Sequence, residues 1–545
     1  MHRFSWFAGI LATIAVSTSA AAQQPDIALP TLQRVTQELS SDAFQGRAPG
    51  TEGETRTVEA IQREFARAGL QPGNNGSWFQ DVPLVEITLQ GSPRLEIAGA
   101  GRGLSFAYRT DFVGASYRVQ PHVAVNGSEI VFVGYGINAP ERGWNDYAGL
   151  DVRGKTVIIL VNDPDWNATG LEGPFGGRAM TYYGRWTYKF EEAARQGAAA
   201  AFIVHDTVPA SYGWNVIENS WTGPQLYMQS ANGGADQTAV NGWLTNDAAR
   251  RLLAAAGQDL DALTEAARQP GFRAVPLGLT ASTSLDNAIR TAASRNVIGV
   301  LPGTSRADEY VLYTAHWDHL GICREEGEDR ICNGAIDNAT GTAALVALAE
   351  AHARAGRAAR TLVFVAVTGE ESGLLGSAYY AANPIYPLAR TAGGVNIDSL
   401  NMHGDSRDFY AVGGAKSELD AFLRRAVTAE GMTLGTEPSP QAGYYFRSDQ
   451  FSLAKLGVPM VYAKLGVDRI DGGRAAGEAW QAEYRANRYH NIDDEYDPAW
   501  DWGGAMREVR IFYRIGRELA EGDAWPNWNE GDEFRAIRDR SRAGQ

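Results

Sequence analysis

Cysteine is nearly absent from this chain: its 545 residues include two, Cys323 and Cys332, in "GICREEGEDRICNG". That excludes a disulfide-rich scaffold, and the spacing is too wide for the paired cysteines of a structural zinc site. Basic charge is also scarce, 49 Lys and Arg against 64 Asp and Glu, for a formal net charge of −15, which disfavours nucleic acid and anionic membrane surfaces as partners. Beyond the N-terminus no apolar run is long enough to cross a bilayer, and no low-complexity tract or internal repeat interrupts the sequence.

At the N-terminus, "MHRFSWFAGILATIAVSTSAAAQQP" has a basic start, an apolar run from about Phe4 to Val16 and small residues ending near Ala22. This pattern reads as a cleaved signal peptide over residues 1–22, with no membrane anchor once it is removed and a periplasmic or secreted location. In such a compartment Cys323 and Cys332 are expected to form a disulfide, contributing about 2–3 kcal/mol by restricting the unfolded chain.

A chain of this length exceeds what one hydrophobic core organises, so two interleaved domains are expected. Leu32, Val35 and Leu39, then Val58, Ile61 and Phe65, recur at helical spacing and open a catalytic domain over residues 23–115. From 116 to 285 short strands such as "SEIVFVGYGI" and "KTVIILVND" alternate with Gly-, Trp- and Tyr-rich loops, as expected for a smaller β-rich insert. From 286 to 530 apolar strands alternate with helices: "EYVLYTA", "GTAALVALAEAHARA", "RTLVFVAV", "GGVNID" and "GVPMVYA". This pattern predicts an α/β fold with a mostly parallel mixed sheet covered on both faces, three layers in αβα order. Residues 531–545 read as a polar tail, helical at first.

Ligands of such a sheet bind at the carboxyl ends of its strands, and those ends carry an unusual set of residues. His316 and Asp318 follow one strand, Asp337 precedes a helix, Glu370 and Glu371 follow the next strand, Asp398 ends another, and His490 lies far downstream in "NRYHNIDDEYD". Taken singly each has an ordinary reading: a lone Asp before a helix is usually an N-cap, and paired Glu often begin a solvated helix. Together, imidazoles and carboxylates at successive strand ends point to a divalent metal of the zinc class. Two histidines and three carboxylates exceed the ligands of one catalytic zinc but suit two metals sharing a carboxylate, about 3.5–4 Å apart, with a water between them.

On the blocks "H-x-D", "D-N-A-T-G", "G-E-E-x-G-x-x-G-S" and "N-I-D" with a late "Y-H", the chain resembles the co-catalytic zinc exopeptidases of the bacterial leucyl aminopeptidase and glutamate carboxypeptidase type, metallopeptidase family 28. The resemblance spans roughly residues 30–115 and 290–515. It implies a zinc-peptidase or phosphorylase-hydrolase-like fold and two Zn2+ per chain. His316 and Asp398 would hold one zinc, Glu371 and His490 the other, and Asp337 would bridge them. Asp318 would orient His316, and Glu370 would act as general base on a metal-bridging water. "NDYAGLDVRGKTVIILVND" and "FEEAARQGAAAAFIVHD" resemble a protease-associated domain inserted into the catalytic domain. "GYYFRSDQFSLAKLGVP" resembles the family segment "R-S-D-H-x-x-F", with Gln450 where histidine is common, and makes Tyr444, Tyr445 and Arg447 candidate substrate contacts. "NIDSLNMHG" departs from the usual "N-I-D-M", leaving His403 as a site-rim candidate or a merely exposed residue.

The expected reaction is removal of N-terminal residues from peptides, an acidic cleft suiting an ammonium group. The alternatives are a zinc carboxypeptidase, with Arg447 on a terminal carboxylate, a glutaminyl cyclase with one zinc and no hydrolysis, and a non-catalytic receptor-like binding protein that has lost its ligands. The sequence leaves the oligomeric state and the preferred side chain open.

Overall fold

The computed structural model describes residues 25–543 except 100 and 325. The expected signal segment, residues 1–22, lies outside the described residues. The catalytic sheet is built around Arg360–Val367, a strand buried at all eight positions because both faces are covered. On one side it pairs in parallel with Arg306–His316, which pairs in parallel with Thr391–Asn396, which in turn pairs in parallel with Met460–Leu465. On the other side it pairs antiparallel with the end of Val275–Leu301, a 27-residue strand. The sheet is therefore mixed with a parallel centre, as expected.

Several helices pack into one core with the sheet. Gly341–Arg354, rich in Ala, Leu and Val, is buried nearly all round because Leu29–Leu39 and Gly503–Glu521 pack against it along with the sheet. Glu52–Arg67 begins at Thr51, whose hydroxyl accepts the Glu54 N–H, and sends Val58, Ile61 and Phe65 into the same core. Each fully buried Leu or Phe here contributes about 1.5–3 kcal/mol by removal from water.

A second hydrophobic core lies outside the catalytic sheet. Leu95, Ile97, Phe106 and Phe112 pack in one hydrophobic cluster with Ile130, Ile158 and Phe202 and not with the residues of the catalytic sheet. The sheet of this core is also mixed: Ile130–Phe132, Thr156–Leu160, Ala200–Val204 and Val240–Leu244 run parallel in that order. The long strand Val275–Leu301 joins both units, pairing first with insert strands and then, from Asp286 to Val297, with Phe79–Gln90. The tail is more than a polar extension: Phe534 is buried against Phe451 and Trp528, and buried Arg538 donates to the Ala392 carbonyl. No helix among the described residues is long and apolar enough to cross a membrane.

Candidate metal centre

Three adjacent parallel strands end at the same edge, which is why their following residues meet. His316 is the last residue of its strand and sits beside Val367 in register, three positions before Glu370. Asn396 ends the neighbouring strand, two positions before Asp398. The segment Ala335–Thr340 then brings Asp337 over the strand ends, entering the helix Gly341–Arg354 through a cis Asp337–Asn338 peptide. Asn338 ties these pieces together: its amide donates to the carbonyls of His316 (3.2 Å) and Ile397 (3.1 Å), and its oxygen accepts from Gly341 and Ser399 N–H groups.

Asp337 lies between the two histidines. One of its oxygens is 3.3 Å from His316 Nε2 and the other 3.4 Å from His490 Nε2. His316 Nε2 is also 3.6 Å from Asp398 Oδ1, and His490 Nε2 is 3.1 Å from Glu371 Oε2. The ligand atoms of His316, Asp337 and Glu371, and those of His316, Glu370 and Asp398, form two overlapping groups compact enough to hold a cation. His316 Nε2 is buried and makes no hydrogen bond despite the carboxylates around it, the arrangement of a lone pair aimed at a shared centre. The donor set, two imidazoles and three carboxylates, fits zinc.

Each charge in this cluster is set by burial against its neighbours. Burial disfavours the His316 cation, but Glu370, Asp337 and Asp398 together hold its pKa well above the ordinary value. His490 likewise overcomes its desolvation and is pushed up to about 10, with Glu371 and Asp337 beside it. Burial opposes ionisation of Asp337 and Glu371, yet the facing histidines keep Asp337 well below the usual range and Glu371 near about 2. Glu370 behaves oppositely: burial, with Asp398 and Glu371 nearby, raises it well above 4.5 although His316 favours its charge. Two adjacent glutamates are thus pushed apart, one held as a ligand-ready anion and the other as a proton acceptor of raised basicity.

Asp318 does more than face His316. Its carboxylate accepts the N–H groups of both Glu370 (3.1 Å) and Glu371 (3.3 Å), fixing the turn that bears them, while His316 Nδ1 lies 3.2 Å from the Asp318 carbonyl and 3.8 Å from its carboxylate. Sequence reasoning missed three further residues. His319 places Nδ1 at 2.6 Å from Glu371 Oε1. Asp494, four residues after His490, accepts the N–H groups of Ile336 and Asp337, each at 3.0 Å. Arg47 is wholly buried beneath the site and donates to the carbonyls of Trp317, Leu39, Asn333 and Gly334. The "HWDH" and "HNIDD" runs carried the first two signals; "QGRAPG" carried none that spacing could show.

The candidate substrate contacts separate. Tyr445 is packed into the core with Phe446, Phe451 and Trp528. Tyr444 is exposed, with the Arg447 guanidinium 5.3 Å from its ring centre. Gln450 is fully buried and accepts from Asn396 while donating to the Tyr445 carbonyl, a strut between a strand end and the turn Tyr444–Arg447. His403 is buried edge-on against Trp480, not exposed. Tyr489 stacks on His490 with centroids 3.9 Å apart. Cys323 and Cys332 form a disulfide that closes the hairpin between His319 and Asp337.

The chain is an α/β protein with a cluster of candidate metal ligands at the carboxyl edge of a parallel-centred sheet. Residues 296–513 match the profile of Peptidase family M28. Over 138 residues it is 28% identical to aminopeptidase NAALADL1 of Mus musculus, covering 24% of this chain and 17% of that relative. Over 147 residues it is 30% identical to a glutamate carboxypeptidase 2 homolog of Caenorhabditis elegans, covering 25% of this chain and 17% of that one. The matches therefore span well under a quarter of the curated relatives' length. An aminopeptidase from Aneurinibacillus sp. strain AM-1 shares the fold, with a TM-score of 0.50 and 19% identity over 92% of this chain and 95% of that one.

Proposed function

We propose that the protein is a zinc-dependent exopeptidase of the aminopeptidase type, exported to the periplasm or the medium, with a protease-associated insert beside its cleft. The observation that carries this reading is the placement of Asp337, with one oxygen toward each histidine and a further carboxylate beyond each. His316 and Asp398 would hold one zinc, Glu371 and His490 the other, with Asp337 shared.

Bound zinc supplies Lewis-acid polarisation of a carbonyl and eases ionisation of water at neutral pH. The remaining chemistry belongs to the chain. Glu370, not needed as a ligand and raised in basicity, takes the proton of the attacking water and delivers it to the leaving amine. Asp318 keeps that carboxylate in place through the Glu370 N–H. Tyr489, whose ring stacks on His490, would donate its phenol to oxygen charge developing on the scissile carbonyl. The carboxylate surplus of the cleft favours a substrate ammonium group.

Mass spectrometry of matched free and N-acetylated peptides after incubation with zinc-loaded protein tests this. Stepwise shortening of the free peptides alone, abolished by a chelator, is expected; loss of C-terminal residues, or no cleavage, would overturn it.

A further inference from the structure

At the edge of the sheet opposite the candidate metal centre, three arginines gather around one tryptophan. Arg360 opens the strand Arg360–Val367, whose other end lies beside His316 in register; a rise of about 3.3 Å per residue sets Arg360 about 23 Å from that end. Arg538 and Arg542 stand about one turn apart on the helix Arg535–Ala543 and therefore share a face. The guanidinium carbons of Arg542, Arg360 and Arg538 lie 3.8, 4.8 and 5.8 Å from the ring centre of Trp525. The face of the tryptophan attracts cations, yet its indole offers no lone pair to an N–H in a guanidinium plane.

The hydrogen bonds of these arginines are incomplete, whereas buried Arg47 finds four carbonyls. Arg360, its side chain wholly buried, donates Nε to Glu309 at 2.7 Å and Nη1 to the Leu519 carbonyl at 2.6 Å, which leaves Nη2 buried without an acceptor. Arg538, 1% exposed, gives Nη2 to the Ala392 carbonyl at 3.2 Å and leaves Nε and Nη1 unmatched. Arg542 is half-buried, and its Nη1 is also enclosed without an acceptor. Among the described residues neither Arg538 nor Arg542 has an ion pair. Arg306, 4.0 Å from Glu309, is paired with Asp523, so four arginines here face two carboxylates. Buried cations without acceptors are costly, and more so beside one another. Burial first, and Arg542 after it, lower Arg538 to about 10; burial lowers Arg542 as well, with Glu309 favouring its charge and Arg360 opposing it.

We infer that Arg360, Arg538 and Arg542 bind a dianionic tetrahedral oxyanion, of the phosphate or phosphomonoester class, that fastens the C-terminal helix to the back of the catalytic sheet. The unmatched donors come from three separate guanidinium groups. A planar carboxylate fits the fork of one, whereas the oxygens of a tetrahedral ion diverge toward all three. Two negative charges balance the surplus of the four arginines over Glu309 and Asp523, and the half-exposed Arg542 leaves a way in from solvent. The same tail also touches the insert: the Phe534 ring lies 6.0 Å from that of Tyr182, and Glu533 lies 3.7 Å from Arg142. An oxyanion at the arginines would thus steady a segment that links the two units. This site is independent of the peptidase reading.

Hydrogen exchange of the zinc-loaded full chain, read by mass spectrometry over residues 535–543 in phosphate and in chloride of equal ionic strength, tests the site. Phosphate at about ten times its Kd should slow exchange there about tenfold, as for a ligand that binds only the closed tail. Sulfate, also a tetrahedral dianion, should act likewise. Glycerol phosphate separates the sources: protection equal to that of phosphate assigns the site to phosphomonoesters as well, and none assigns it to the free ion. Arg538→Met and Arg542→Met should each remove the protection. In chloride Arg542→Met should exchange no faster than the parent, because the change also removes a repelled cation. Should Arg538→Met fail to fold, Arg542→Gln on the half-exposed partner carries the test. Equal exchange of the parent in phosphate and chloride would overturn the site. So would undiminished protection in Arg542→Met, which would place the phosphate elsewhere, or faster exchange of that variant in both salts alike, which would make Arg542 a packing residue only. Stronger protection by malonate, a planar dicarboxylate, would overturn the tetrahedral assignment.

Discussion

Asp494 holds Asp337 from behind: both carboxylate oxygens are used, one on the Ile336 N–H and the other on the Asp337 N–H. Because Asp494 follows His490 by four residues, one short segment supplies a histidine and also positions the carboxylate that the two histidines share. Burial raises Asp494 to about 6, so its anion is maintained by these backbone donors at the expense of desolvation. Asp494→Ala should leave the core intact but weaken zinc binding by about 10–100-fold, the usual effect of losing a partner that orients a ligand. Competition with a zinc-binding dye measures it; unchanged affinity would show that Asp337 needs no such support.

Glu370→Gln separates chemistry from binding. The amide preserves the shape of the site and removes the proton acceptor, so kcat should fall by about 10²–10⁴-fold with the zinc content unchanged. Loss of zinc in this variant would instead make Glu370 a ligand.

Acid sensitivity should arise partly from a histidine distant from the cleft. Tyr313 donates its hydroxyl to the Phe512 carbonyl and lies 2.9 Å from His352 Nε2, whose N–H it accepts, leaving Nδ1 buried without a partner. Burial, with Arg517 nearby, lowers His352 from 6.5 to about 3. The unfolded chain therefore takes up this proton first, so the contribution is fully present above about pH 6.5 and drains as pH falls toward 3. Between pH 6.5 and 4 the loss is roughly 3 kcal/mol. Urea unfolding across that range should be less pH-dependent in His352→Gln than in the parent; parallel curves would contradict this origin.

The Cys323–Cys332 bridge closes a small exposed hairpin against the turn Asp42–Arg47, where a side chain at Gly46 would collide with the Cys332 and Gly321 carbonyls. Replacing both cysteines by serine should cost about 2–3 kcal/mol and open residues 323–332 to proteolysis. Equal resistance of the two proteins would show that packing alone holds the hairpin.

The residues of the candidate metal centre stand out in the sequence because strand ends announce themselves: an apolar run stops, and a charge follows where neighbouring strands also stop. His316, Glu370, Glu371 and Asp398 share that signature, and Asp337 and His490 add the two loops above it. Arg47, His319 and Asp494 stayed hidden because they act through contacts across long sequence separations, Arg47 reaching carbonyls almost 300 residues away. Tyr444 and Tyr445 part ways because "GYYF" folds as a tight helical turn that leaves Tyr444 exposed and turns Tyr445 and Phe446 into one buried cluster. Strands from 94 to 115 continue the alternating pattern of Phe79–Gln90 while packing into a different core, a difference that periodicity alone does not show.

The most direct test of the account is zinc-edge anomalous diffraction from crystals of the zinc-loaded protein. Two peaks, one beside His316 and Asp398 and the other beside Glu371 and His490, with Asp337 between them, are the expected result. A single peak, or none within reach of Asp337, would contradict the shared-carboxylate centre on which the proposed function depends.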